Sequence, residues 1–383
     1  MMKENRPGIY IHIPFCMSRC PYCDFYSVIP KEKSLKEHFL DALTAEISDF
    51  AEKRPDFSPD TIYFGGGTPS LLENEDISRI LQCIFTGFHI ENPENIEITM
   101  EFNPKSMEKY DEMRLSELKN MGVNRVSVGS QSFNEGTLRK LGRIHKVEDT
   151  YSTFSSLRNA GFKNISLDIM FGIPGETFEE FSESLRHAIE LSPEHFSLYS
   201  LEFMEGTRFT RLLSEGKMKE TDPETDRLMY HTAIDMLKEA GYMQYEISNF
   251  SKKGFESRHN LKYWNLSEYI GFGPSAHSNT DGKRFSNVSD IHEYIENPLK
   301  KEVYEECTFE DTVSEYTFTS LRKNEGIDLI EFRERFGTEF WDYYKDVKEE
   351  FLSFEGYVYC DDNTVRLNEL GFDISNEILC LFV

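Results

Sequence analysis

Three cysteines fall within eight positions, as Cys16-Met-Ser-Arg-Cys20-Pro-Tyr-Cys23, directly after the apolar run Gly8–Ile13. Thiolates so spaced can grip a metal centre from one side. A closed zinc site needs a fourth ligand, and no second paired motif is present, although His12 or Asp24 could serve. A [4Fe–4S] cube held by three cysteines leaves one iron without a protein ligand. Such an iron can chelate the amino and carboxylate groups of S-adenosylmethionine (SAM). One electron from the reduced cluster then cleaves the sulfonium and yields a 5′-deoxyadenosyl radical. Spacing alone leaves cube, zinc and mere clustering open. The other four cysteines, Cys83, Cys307, Cys360 and Cys380, stand singly and read as small buried hydrophobes. An odd total of seven is not a disulfide framework.

The elements that must position this loop alternate between short β-rich runs and helical patterns. Strands are expected at Gly8–Ile13, Thr61–Phe64, Ile96–Phe102, Arg125–Gly129, Asn164–Ile169 and Phe196–Glu202, rich in Ile, Val, Phe and Tyr and bounded by Gly, Pro or Asn. Between them, apolar residues recur at offsets of three and four, as in Ile77, Ile80, Leu81, Ile84 and Phe85, or Phe178, Phe181, Leu185, Ala188 and Ile189. Such alternation argues for parallel βαβ units, in a doubly wound sheet or a TIM-like barrel. The polar residues favour the barrel, where chemistry gathers at the carboxyl ends of the strands. The cysteine loop, Gly65-Gly66-Gly67-Thr68-Pro69, Glu101-Phe-Asn-Pro104, Gly129-Ser-Gln131-Ser-Phe133, Asp168 and Glu202 all fall at that end.

Composition bounds the function. The chain has 383 residues, with 42 Lys+Arg against 68 Asp+Glu, a formal charge of 42 − 68 = −26. Without a basic block, duplex nucleic acid is not an expected partner. No run approaches a membrane span of roughly 18 apolar residues, and the start Met1-Met2-Lys3-Glu4-Asn5 shows no secretory leader. A cytoplasmic setting is therefore expected. Beyond Gly241 the pattern changes: Tyr242–Phe250 reads as a further strand, and 241–300 as a connecting segment after a 1–240 barrel. Residues 301–383 carry 8 basic and 21 acidic residues, helices, and a hairpin around Asp361-Asp362-Asn363. They suggest a winged-helix-like module, too acidic for the usual DNA role of a wing.

Cys16-x₃-Cys20-x₂-Cys23, preceded by Tyr10-Ile-His12-Ile-Pro-Phe15, resembles the radical SAM superfamily, and within it the oxygen-independent coproporphyrinogen dehydrogenase group. The Gly65–Pro69 run, Glu101, Gly129–Phe133, Arg143, and Asp168 with Gly172-Ile-Pro-Gly175 recur in the same order. The resemblance covers nearly the whole chain. It implies an α/β fold: a partial (β/α)₆ TIM-like barrel with a C-terminal α+β extension, and a [4Fe–4S] cluster at the open mouth on Cys16, Cys20 and Cys23. It also implies a SAM site. Gly66, Gly67 and Thr68 would approach the methionine amino group, since backbone without Cβ admits a close ligand. By themselves they would also suit an ordinary strand-to-helix turn; GxxxxGK[ST] is missing, so a phosphate loop is not indicated. Glu101 and Asp168 suit ribose hydroxyls as acceptor-only groups, and Gln131 offers donor and acceptor. Arg143 can fork onto the methionine carboxylate. Tyr10 and Tyr22 flank the cluster loop, where the family places an adenine-proximal group.

Two branches of that group are distinguished by departures. The dehydrogenase branch continues to a fourth cysteine where this chain has Phe25, and carries an N-terminal extension before its motif. His259-Asn260-x-x-Tyr263-Trp264 instead matches the HNxxYW signature of a haem chaperone branch, which is thought to bind haem and deliver it to acceptor proteins. On that resemblance the partners are haem or a porphyrin, a haem-acceptor protein and an electron donor. A histidine can ligate haem iron, Tyr and Trp supply flat apolar area, and Arg258, Lys262, Lys283 and Arg284 could neutralise propionates. The motif alone favours an aromatic cluster with His259 satisfied by hydrogen bonds, and only the family resemblance reverses that reading. The alternatives to a haem chaperone are oxidative decarboxylation of coproporphyrinogen III and a zinc-binding adaptor.

Overall fold

The computed structural model describes residues 6–30 and 32–383. Residues 1–5, on which the expected lack of a leader rests, lie outside them. Six parallel strands, β1 (Gly8–Ile13), β2 (Thr61–Gly66), β3 (Glu97–Phe102), β4 (Arg125–Gln131), β5 (Ile165–Phe171) and β6 (His195–Ser200), pair as neighbours in chain order. All six strands expected for the barrel are present, with ends shifted by at most two residues. Successive side chains alternate across each strand. Ile9, Ile11, Ile62, Phe64, Ile98, Met100, Val126, Val128, Leu167 and Ile169 are all fully buried in the main core. The alternate positions face inward and are polar: Tyr63, Glu101, Arg125, Ser127, Asp168, Ser197 and Tyr199 all line one central cavity.

Helices cover the outside with the faces their periodicity dictates. Helix Asn74–Gly87 buries Ile77, Ile80, Leu81 and Ile84. Helix Phe178–Glu190 starts with a capping box in which Thr177 accepts from the Glu180 amide and Glu180 accepts from the Thr177 amide. It buries Phe181, Leu185 and Ala188.

The barrel does not close. β6 pairs antiparallel with β8 (Asn249–Ser251), which pairs with β7 (Met243–Glu246). The single strand expected over Tyr242–Phe250 is thus a hairpin, broken because Ile247-Ser248 turns the chain back. At the other edge β1 pairs parallel with β9 (Tyr269–Phe272). β10 (His277–Thr280), β11 (Lys283–Asn287) and β12 (Lys301–Glu306) then continue antiparallel, making twelve strands among the described residues. The boundary expected at residue 301 falls inside this sheet, since β12 pairs with β11.

From Thr308 the chain builds a second core around Val313, Tyr316, Phe332, Phe340, Phe351 and Phe382. Helices Phe309–Ser320 and Leu329–Phe336 flank a small antiparallel sheet of β13 (Ile327–Asp328), β15 (Thr364–Leu367) and β14 (Val358–Cys360). The lone cysteines are less buried than expected: Cys83, Cys307 and Cys360 are partly exposed and Cys380 is exposed.

Candidate functional site

The cysteine loop springs from the carboxyl end of β1 and is pinned at its base, where the Cys16 amide donates to the Val28 carbonyl at 3.0 Å and the Val28 amide to the Pro14 carbonyl at 2.7 Å. Cys16, Cys20 and Cys23 all line the mouth of a cavity of about 850 Å³ that fills the barrel. Thr68 Oγ1 approaches Cys16 Sγ at 3.6 Å, and Arg143 Nη1 approaches Cys20 Sγ at 3.6 Å. Burial pushes the Cys16 thiol up and the Cys23 thiol up to about 11, so binding a metal centre here releases protons. Among the described residues, no three His, Cys, Asp or Glu side chains converge as a mononuclear ion requires. The donor set of three thiols around an open mouth fits a [4Fe–4S] cube with one free corner.

The glycine run crosses the cavity wall because nothing larger fits. A Cβ on Gly67 would sit 2.7 Å from the Phe15 carbonyl oxygen, and one on Gly66, at φ +103°, would sit 2.6 Å from the His12 ring. Gln131 reaches the cavity through a bulge: β4 and β5 pair Val128 with Leu167 and then Gln131 with Ile169, so one residue is extra. Gln131 takes φ +64°, a left-handed conformation that costs a non-glycine residue about 1 kcal/mol or more and clusters at functional sites. Arg143 is held by donating to the Gly129 carbonyl at 2.8 Å. The two carboxylates sit deeper. Tyr63 donates to Glu101 at 2.9 Å and Ser127 to Asp168 at 2.9 Å. Burial, and then the Asp168 charge, push Glu101 up to about 8; burial pushes Asp168 up to about 6. Tyr22, Gly66, Gly67, Thr68, Glu101, Gln131, Arg143 and Asp168 therefore share one cavity. Tyr10 does not join them. It lies within the barrel, its hydroxyl against His12 Nδ1 at 3.1 Å and its ring stacked on Tyr63.

The HNxxYW segment is helix Arg258–Trp264, and it plugs the floor of the barrel. Its first amides, on Arg258 and His259, donate to the Glu97 carboxylate, and Ser257 caps it by accepting from the Asn260 amide. With residues four apart on one face, Asn260 and Trp264 line the cavity. His259 and Tyr263 lie on the neighbouring face, outside the residues that line the cavity. His259 is 1% exposed; Nδ1 meets Thr61 Oγ1 at 2.8 Å and Nε2 meets the Tyr263 hydroxyl at 2.9 Å. Both ring nitrogens are engaged, burial lowers the imidazole to about 3, and Tyr263 is committed as its partner. The cations expected to meet propionates are also paired: Arg258 and buried Lys262 with Asp60, Lys283 with Glu306 and Arg284 with Glu315.

The cavity has walls the sequence did not announce. Arg125, Tyr63 and Tyr199 come from strand positions that read as ordinary β residues, and only the inward alternation marks them. Arg322, Phe372 and Asp373 come from the C-terminal unit. That unit is latched to helix Pro223–Glu239, where Asp373 accepts from Arg227 at 3.2 Å and contacts His231 Nε2 at 2.7 Å.

Comparison with known proteins follows this geometry. Residues 10–188 match the radical SAM superfamily and residues 308–374 the HemN C-terminal domain. The haem chaperone HemW of Bacillus subtilis (strain 168) is 35% identical over 382 residues, covering 98% of each chain. The chain belongs to the haem chaperone family of radical SAM proteins. HemW of Lactococcus lactis subsp. lactis (strain IL1403) is 33% identical over all of this chain and 98% of its own. Coproporphyrinogen III oxidase (HemN) from Escherichia coli, itself described as a radical SAM enzyme, superposes with a TM-score of 0.84 over 98% of this chain and 90% of that one. At 23% identity that likeness shows the fold alone. Radical SAM proteins carry a [4Fe–4S] cluster and SAM, and the three thiols, the glycine wall and the paired carboxylates of this family member fit both.

Proposed function

We propose that this protein binds a [4Fe–4S] cluster through Cys16, Cys20 and Cys23, SAM above Glu101 and Asp168, and haem, which it passes to an acceptor protein. The observation that carries this is the end-to-end match to haem chaperones together with one cavity running from the three thiols to Asn260 and Trp264. When bound, the cube and SAM supply one-electron sulfonium cleavage. The residues here do the rest. Arg143 neutralises charge beside Cys20 and orients a carboxylate, Gln131 and Asp168 bind polar edges, and Trp264 offers a flat apolar face. Seven free thiols and the acidic balance support a cytoplasmic setting. No helix among the described residues is long and apolar enough to cross a membrane.

A titration of anaerobically reconstituted protein with haem, followed by its visible spectrum, tests the reading. Saturable binding is expected, and its absence would sink the proposal. His259→Ala should keep the haem spectrum and lose about 1–3 kcal/mol of stability, because a buried donor and acceptor lose their partner. Loss of the spectrum at unchanged stability would instead make His259 an iron ligand.

The electron donor has a candidate approach. On the outer side of the cluster loop, Cys20 and Cys23 also border a cleft of about 610 Å³ with Arg19, Arg208 and Arg211. In a chain of charge −26 this basic rim suits an acidic one-electron carrier protein. Reversing Arg208 and Arg211 to Glu should slow cluster reduction by such a carrier about tenfold or more at low salt, and leave reduction by dithionite unchanged. An equal effect on both reductants would rule the docking face out.

A further inference from the structure

Five arginines line the barrel cavity, and they differ in what holds them. Arg19 is exposed at the rim, where water serves it. Arg143 donates to the Gly129 carbonyl, and Arg227 is paired with Asp226 and Asp373. Arg125 and Arg322 are different: among the described residues neither forms an ion pair or a side-chain hydrogen bond, and each has a buried Nε without a partner. Arg125 is 1% exposed and heads the fully buried side chains by size. Arg322 leans on the Phe318 ring, its guanidinium carbon 4.6 Å from the centroid, and faces the same chamber from the C-terminal unit.

A guanidinium out of water and without an anion is among the costliest groups a fold can hold. Arg125 is such a group, and Arg322, partly exposed but with its Nε buried and unpartnered, faces the same chamber, so together they mark a place for negative charge. The acidic neighbours do not meet that need. Glu101 is served by Tyr63, Asp168 by Ser127, and Glu246 by the Ser248 amide and Asn249; Glu202, whose charge acts on Arg322 across the same cavity, forms no ion pair with it. Glu101 also stays raised to about 8, which a guanidinium in direct contact would prevent. Tyr63, Tyr199, Ile247 and Trp264 add flat apolar area to the same chamber.

We propose that Arg125 and Arg322 are a carboxylate-receiving pair on the inner wall of the chamber, and that they take the two propionates of haem. The proposal rests on the haem-chaperone reading and deepens it. The macrocycle lies against the aromatic wall and its acid edge is held by two planar forks. The pair also explains why the chamber spans two units: the barrel supplies one cation and the C-terminal unit the other.

The test titrates reconstituted full-length protein with haem and with haem dimethyl ester, which lacks the acids. Wild type should bind haem at least tenfold tighter than the ester. Arg125→Gln and Arg322→Gln should each weaken haem tenfold or more and leave the ester unchanged, with Arg125→Lys recovering part of the loss. Iron and sulfide content and the SAM-perturbed paramagnetic signal report whether the barrel is intact, and if Arg125→Gln fails that check, Arg322→Gln decides. Equal binding of haem and ester by wild type, or variants that lose both alike, would overturn the propionate pair while leaving the haem reading standing. Binding of neither would bring down both.

Discussion

Replacing Cys20 by serine should leave reconstituted protein with almost no cluster. Iron and acid-labile sulfide are expected to fall from about four each per chain to near zero, and the visible absorption of the cluster should vanish with them. The reason lies in the donor count. Three thiols already leave one corner open, and Cys20 is the sulfur that Arg143 approaches. With two thiolates the cube has no grip on half its irons, whereas Cys360→Ser, in the distant hairpin strand β14, should change nothing. Assembly should also proceed more completely as pH rises from 7 to 9, because the raised Cys16 and Cys23 thiols must lose protons on ligation. A Cys20→Ser protein holding its full complement of iron and sulfide would overturn the three-thiolate site.

The second large effect concerns the buried carboxylates. In the unfolded chain Glu101 titrates at about 4.5, and in the fold without ligand at about 8; Asp168 moves from 3.8 to about 6. Between those values the folded state keeps protons that the unfolded chain has lost. These two groups therefore each contribute a stability term that falls as pH rises, from about 4 to 6 for Asp168 and from about 4.5 to 8 for Glu101. Buried His12 and His259, lowered to about 4 and about 3, contribute terms that rise with pH up to their ordinary value. The slope is on the order of 1.4 kcal/mol per pH unit for each group. Glu101→Gln keeps the size and still accepts from Tyr63, but carries no charge. Its melting temperature should gain on wild type progressively as pH rises from about 5 to 8 and exceed it at pH 8 by a few degrees, while Glu176 and Glu246, raised by burial to about 7, keep their share of the slope. The same change should weaken SAM binding about tenfold or more, close to 1.4 kcal/mol, because a carboxylate that accepts from ligand donors has become a weaker acceptor. Scanning calorimetry against pH with a SAM titration checks both. A Glu101→Gln protein that melts along the wild-type pH curve would show that this carboxylate does not govern the slope.

Stability and function pull apart at this pair. A carboxylate whose charged form the surrounding protein disfavours destabilises the empty barrel, and its remaining acceptor capacity leaves it free to receive a ligand. Gln131 at φ +64° and the unpartnered Arg125 fit the same pattern.

The strands, the barrel and the cysteine loop were legible because each is written in short-range signals. Period-two patterning, glycine and proline boundaries and a three-cysteine spacing need no knowledge of what lies across the core. The residues proposed to face SAM followed because strand ends gather at one mouth. The hairpin of β7 and β8 was missed, since Ile247-Ser248 carries none of the glycine or asparagine that usually marks a two-residue turn. The end of the long sheet at Glu306 was missed because β12 is mostly exposed and charged, an edge strand defined by its partner β11.

For the HNxxYW helix, sequence determined the helical spacing, and therefore which residues travel together: His259 with Tyr263, Asn260 with Trp264. It could not determine which pair faces the cavity. That was decided when Glu97 and Thr61, from two strands far away in sequence, took the amides and the imidazole. A helix carries its own hydrogen-bond period, but its rotation about its axis is fixed only by the groups it docks against. The same holds for Arg125 and Arg322: each residue type was visible in the chain, and only the folded barrel and its C-terminal unit left both facing one chamber, each with a buried Nε and no ion pair among the described residues.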